Sequence, residues 1–185
     1  MARRDREVRH PGASPQCPLC AGLGGVVVAQ GEVSVVQTCS CVGRCPHCRD
    51  TGFVAQSDAF RARRQRCVCQ EALARFRAFE AVSVPARHAS STRATFQAGN
   101  RQQTVVLGAV SKYLANFEPG QDNRGLILYG DVGRGKTHLL AALLRELVLT
   151  KGVRARFVEF SHLLADLKAG FDTGQGSASR IDPLV

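Results

Sequence analysis

The chain has no tryptophan, two tyrosines and one methionine among its 185 residues. With nine phenylalanines, that leaves little material for a base-stacking platform. Acid is also short: 15 Asp and Glu stand against 25 Lys and Arg, a formal charge of +10. No run approaches the ~18 consecutive apolar residues that a membrane helix needs, so no membrane partner is expected. The N-terminal stretch MARRDREVRHPG lacks the apolar core of a secretory signal, which points to the cytoplasm. In that reducing compartment eight cysteines read as metal ligands before they read as disulfides.

The cysteines form an internal repeat. Cys17, Cys20, Cys39 and Cys41 recur, shifted by 28 residues, as Cys45, Cys48, Cys67 and Cys69. Each unit opens on C-x-x-C in a Gly-containing turn and closes on C-x-C, with β-type residues between. A C-x-x-C clip brings two sulfurs to one metal at ~2.3 Å, and a second clip completes a tetrahedron. Two units predict two Zn2+ in closed, structural sites that organise a module with little core of its own. Pairing within units is the simplest arrangement. Pairing of outer clips with outer and inner with inner stays open, as do iron–sulfur or redox use and disulfides. Eight thiolates and two Zn2+ would bring the formal charge from +10 to +6, still basic enough to suggest an acidic partner such as nucleic acid or nucleotide phosphate. The run Arg61 to Arg66 is read as a solvated hairpin strand, with a phosphate-binding surface as its rival.

Beyond Cys69 the pattern turns helical and then α/β. Apolar spacing predicts helices over 70–80 and 103–117. Gly125 to Tyr129 is a short apolar run of buried-strand type, and a helix is predicted over Lys136 to Leu149. Arg154 to Phe160 alternates as a second strand, and Ser161 should cap a helix ending near Gly170. Between the first strand and its helix lies GDVGRGKT, Gly130 to Thr137, which satisfies G-x-x-x-x-G-K-[ST] at every fixed position. Gly130, Gly133 and Gly135 allow the backbone N–H groups to face phosphate, and the helix adds its positive end. Lys136 would reach the β- and γ-phosphates of ATP and Thr137 would ligate Mg2+. Asp131, Val132, Arg134 and His138 complete the candidate nucleotide contacts. Solvent exposure is the rival reading for Arg134, and helix packing is the favoured one for His138. No acid is placed to orient water: Glu159 sits mid-strand and Asp182 precedes a proline, so no catalytic residue is assigned.

GLILYGDVGRGKTHLLAALLREL followed by RARFVEFSHLLADLK, with the lead-in VPARHASSTRATF over 84–96, is similar to the AAA+ core of DnaC/DnaI-type replicative helicase loaders and IstB-type transposition helper ATPases. The cysteine units resemble the zinc-binding N-terminal region of some loaders and, in clip form only, the DnaJ cysteine-rich region. The resemblance implies an α/β fold: the front part of a P-loop AAA+ parallel-sheet core behind a small zinc-binding β-hairpin module. The implied organisation is a flexible N-terminus over 1–16, the zinc module over 17–69, a helical linker over 70–100 and the ATP-binding part over 101–185. The family's Walker B strand, sensors and arginine finger would follow Val185, so the sequence reads as a fragment not expected to turn over ATP alone. Implied partners are the replicative DNA helicase and single-stranded DNA, with a homo-oligomer also expected. A zinc-binding adaptor with a relic phosphate loop, contacting DNA or protein, is the alternative class.

Overall fold

The computed structural model describes residues 8–58 and 61–172. The first seven residues, the Gly/Ser-rich tail and Asp182 lie outside them. The chain divides into two compact units, Met1–Ala155 and Arg156–Val185. No helix among the described residues is long and apolar enough to cross a membrane.

The larger unit begins with two antiparallel hairpins that follow the sequence repeat. The first pairs β1 (Gly25–Gln30) with β2 (Val33–Thr38), the second β3 (Phe53–Asp58) with β4 (Arg61–Arg66). Each hairpin is closed at its base by its own four cysteines. The segment before them is held too. Val8 and His10 are buried, the Gly43 N–H donates to the Gly12 carbonyl (2.9 Å), and burial lowers the His10 pKa against the pull of Asp50.

Helix α1 (Val68–Ala81) starts inside the last cysteine clip, two residues earlier than apolar spacing suggests. Its buried side is Cys69, Ala72, Phe76 and Phe79, a 3–4 spacing anchored by the cysteine. That side receives the first hairpin. A Cβ on Gly25 would lie 2.6 Å from both the Phe76 ring and Val36, so only glycine lets β1 approach α1 this closely. Val84 and Pro85 then run beside β2: the Ser34 N–H donates to the Val84 carbonyl (2.7 Å) and its hydroxyl to the Pro85 carbonyl (3.0 Å).

Helices α2 (Arg101–Asn116) and α3 (Lys136–Leu149) pack through Val110, Leu114, Leu139, Leu143 and Leu147. Asn100 caps α2, its side chain accepting from the Gln103 N–H at 2.9 Å. Two arginines tie α3 to what precedes it. Arg75 of α1 donates to the carbonyls of Leu149 and Thr150, orphan acceptors at the end of α3. Arg93 grips Glu146 through Nε (2.5 Å) and a terminal nitrogen (2.7 Å), and also donates to Ser111 of α2 (3.0 Å). The smaller unit contains α4 (Phe160–Asp172), so Ser161, expected to cap this helix, is instead its second residue.

One expectation is corrected. Gly125 to Tyr129 and Arg154 to Phe160 belong to no sheet among the described residues; the sheets there are the two antiparallel hairpins. A parallel strand is defined by evenly spaced bonds to a neighbour, and its own apolar pattern cannot supply them. The first segment keeps the two-residue alternation. Leu126 and Leu128 pack against the α2–α3 core, while Ile127 and Tyr129 are 85% and 92% exposed.

Two glycine substitutions should therefore move stability in opposite directions. Gly25→Ala forces Phe76 and Val36 apart and is expected to cost about 2 kcal/mol, in the usual range for overpacking. Gly108→Ala, on the open face of α2 with nothing within 4 Å, is expected to gain about 1 kcal/mol of helix propensity. Urea unfolding of the two variants measures both; equal shifts of one sign would contradict the packing described.

Candidate nucleotide loop and metal centres

The sulfurs of Cys17, Cys20, Cys39 and Cys41 lie within 4.8 Å of one another, and so do those of Cys45, Cys48, Cys67 and Cys69. All eight are free thiols, and seven are buried. The structure thus groups the cysteines within units, not across them. Within the clusters, sulfurs stand 3.7 Å apart (Cys17 to Cys39), 3.5 Å (Cys20 to Cys41), 3.7 Å (Cys45 to Cys67) and 3.5 Å (Cys48 to Cys69). A tetrahedron with ~2.3 Å metal–sulfur bonds has an edge near ~3.8 Å, so the donor set and its spacing are compatible with zinc.

The electrostatics agree. Backbone hydrogen bonds from Cys20 and Leu19 bring the Cys17 thiol down to about 6, whereas burial pushes Cys41 up to about 12. In the second cluster burial likewise raises Cys67 and Cys69. One thiol of the first cluster thus ionises readily, while burial holds Cys41, Cys67 and Cys69 in the neutral form. A cation placed among four such sulfurs would favour their thiolate forms.

The phosphate loop keeps the geometry its glycines allow. Gly130, Gly133 and Gly135 have φ of 134°, 79° and 83°, and Gly135 caps α3 from the left-handed region. Lys136 arches over the loop, its Nζ donating to the carbonyls of Gly130 (2.8 Å) and Asp131 (2.7 Å). Those bonds place the ammonium within the curve of the loop and occupy it with backbone acceptors. Thr137, in the first turn of α3, is exposed, and Val132 at the loop's rim is 97% exposed. Arg134 faces solvent, 3.6 Å from Asp131, in an exposed contact worth little.

His138 turns away from the loop. Its Nε2 is 2.9 Å from the Thr92 carbonyl, and its ring stands 5.6 Å from that of Phe96. The contact that sequence reasoning missed is Phe96 itself. Its ring lies where a Gly135 Cβ would be, 2.6 Å from Cε2, so the lead-in segment props the loop at its last glycine. No spacing rule singles out one phenylalanine in a polar stretch; the signal was only its place within VPARHASSTRATF.

If each cluster holds one metal, purified protein should carry two Zn2+ per chain by elemental analysis. Cys17→Ser should release about one and leave the second cluster loaded. Loss of both ions, or a ratio near one in the parent, would contradict independent four-thiol sites.

Comparison with known proteins places the chain. No solved structure matches it. It is 35% identical over 63 residues to the uncharacterized protein YqaM of Bacillus subtilis (strain 168), a match over 33% of this chain and 20% of that protein. The chain thus spans about a fifth of the length of the curated relative it matches. The sequence profile of the AFG1-like ATPases matches residues 56–184, from the second hairpin past the phosphate loop and α4. That match covers more than half of the sequence and includes GDVGRGKT in its structural setting: the chain belongs to the AFG1-like ATPase family of P-loop ATPases.

Proposed function

We propose that this chain is an ATP-binding switch protein of the replicative helicase-loader type, working in DNA replication with the helicase and single-stranded DNA as partners. The observation that carries the reading is the phosphate loop: three left-handed glycines and a lysine that is folded into its curve and begins the helix α3. ATP would exchange the Gly130 and Asp131 carbonyls on Lys136 for β- and γ-phosphate oxygens, a charge-assisted replacement of two neutral acceptors. The N–H groups of the loop would turn to the same phosphates. Mg2+ supplies charge neutralisation at the phosphates, and the Thr137 hydroxyl is the residue here that would hold it.

What lends this loop the character of a switch is its mounting. Phe96 touches Gly135, Arg93 holds Glu146 further along α3, and Arg75 holds the far end of that helix. A shift of the loop on nucleotide binding is thereby transmitted to the lead-in segment and α1, and α1 bears two zinc-compatible cysteines at its start. The four-thiol module in front of the loop supports a loader over an IstB-type transposition helper. The rival class, a zinc-binding adaptor with a relic loop, shares every feature except nucleotide binding.

Titration with a fluorescent ATP analogue separates the classes. Lys136→Ala is expected to weaken binding about a hundredfold while leaving metal content unchanged. Unchanged affinity in that variant, or none in the parent, would leave the adaptor standing. The loader reading is checked by assembly of a ring helicase on single-stranded DNA, which should require the parent chain and fail with Lys136→Ala.

A further inference from the structure

The 28-residue repeat superposes β1 on β3 and β2 on β4, so the same face can be compared in two copies. In the first hairpin that face carries Gly25, Val27, Ser34 and Val36, all buried, with the Phe76 ring of α1 set on it. In the second hairpin the equivalent positions include Phe53 for Gly25, Ala55 for Val27, Arg64 for Val36 and Arg66 for Thr38. All four are exposed, Phe53 by 50%. The orientation is fixed from behind, because Val54, on the opposite face, packs against Cys45, Cys48, Cys67 and Cys69. Register places Arg66 across from Phe53 and Arg64 across from Ala55. Cross-strand partners on one face stand ~5 Å apart, so one ring and two guanidiniums form a continuous outward strip.

This strip is not what a merely solvated strand would carry. Arg64 and Arg66 are like charges two residues apart on one face, and no acid lies among residues 53–55 and 63–66. An exposed Phe beside them offers an apolar, flat surface within a cationic rim. Guanidiniums that grip phosphates, next to a ring on which an unpaired base can stack, make the recognition set for single-stranded nucleic acid. A duplex keeps its bases stacked and would use only the arginines, and an acidic peptide gains nothing from the ring.

We propose that the outer face of the second hairpin is a single-stranded nucleic-acid binding surface, with Phe53 stacking on a base and Arg64 and Arg66 holding the flanking phosphates. The proposal deepens the ATP-switch reading, which names single-stranded DNA as a partner without giving it a surface, and it stands whether or not ATP binds.

Fluorescence anisotropy of a labelled oligo-dT of about 15 nucleotides, with the full chain and no ATP, tests it. Arg64→Glu with Arg66→Glu is expected to weaken binding at least about tenfold, while the charge-matched pair Arg44→Glu with Arg77→Glu changes it less than about threefold. Arg64→Ala with Arg66→Ala should flatten the log affinity against log salt slope by about 1.4, two phosphate contacts' worth. Phe53→Ala should cost about fivefold or more and Phe53→Tyr little, since either ring stacks. The conservative Phe53→Tyr and the salt slope keep the test readable if a charge-reversed hairpin fails to fold. Equal loss in the two charge-reversed pairs, an unchanged affinity in Phe53→Ala, equal affinity for duplex, or equally strong competition by polyglutamate would each overturn the proposal.

Discussion

Four thiols crowded within 4.8 Å are the constraint on which the front of this molecule is built. Two-stranded hairpins are marginal in water on their own, and here the buried cluster at the base of each is its own set of cysteines. What closes each hairpin is its sulfur cluster, and the cluster reaches its full charge only with a cation inside it. The metal would therefore act as the hairpin's core, with binding free energy that is also folding free energy. The larger consequence is positional. Cys67 and Cys69 belong both to the second cluster and to the start of α1, so the helix that carries Phe76 and Arg75 is aimed by the sulfur tetrad.

From α1 the constraint passes to the phosphate loop through short contacts of different kinds. Gly25 under Phe76 is steric, the Ser34 bonds to Val84 and Pro85 are backbone pairing, and Arg75 on the last carbonyls of α3 satisfies acceptors that every helix end leaves open. Arg93 with Glu146 is a two-pronged, half-exposed ion pair, whose value lies more in fixing the lead-in segment than in bare Coulomb energy. Each contact alone is worth little. Together they fix the far end of α3, while Phe96 against Gly135 props the near end, where the loop runs into the helix.

What could be read from sequence follows from how local each signal is. The 28-residue cysteine period needs no tertiary information, and it gave two four-thiol sites with within-unit pairing as the simplest arrangement; the choice against nested pairing came from the structure. The phosphate loop was legible for the same reason, since three glycines, lysine and threonine at fixed spacing define a backbone shape. Helix α1 was found but begun too late, because apolar spacing does not register that a cysteine clip is its first turn. The strands at Gly125 to Tyr129 and Arg154 to Phe160 show the opposite limit. Their apolar alternation is a statement about faces, and a sheet is a statement about partners, which among the described residues they do not have. Phe96 against Gly135 and Phe76 against Gly25 were illegible because both depend on which ring arrives at a glycine from a distant segment.

The two hairpins also show why the faces of such units diverge so freely. In an ordinary antiparallel sheet, replacing a buried Val by Arg removes apolar area from the core and leaves a charge to be solvated, a loss of several kcal/mol. A hairpin closed by a sulfur tetrad at its base does not depend on its outer face in that way. Its register is set by the clips and by residues such as Val26 and Val54, which pack against the sulfurs from behind. The face that became Gly25, Val27 and Val36 in one copy was free to become Phe53, Ala55 and Arg64 in the other without loss of the fold. Only the first copy, set against α1, had to stay small and apolar, and the size of the Phe76 ring explains why its leading residue is glycine.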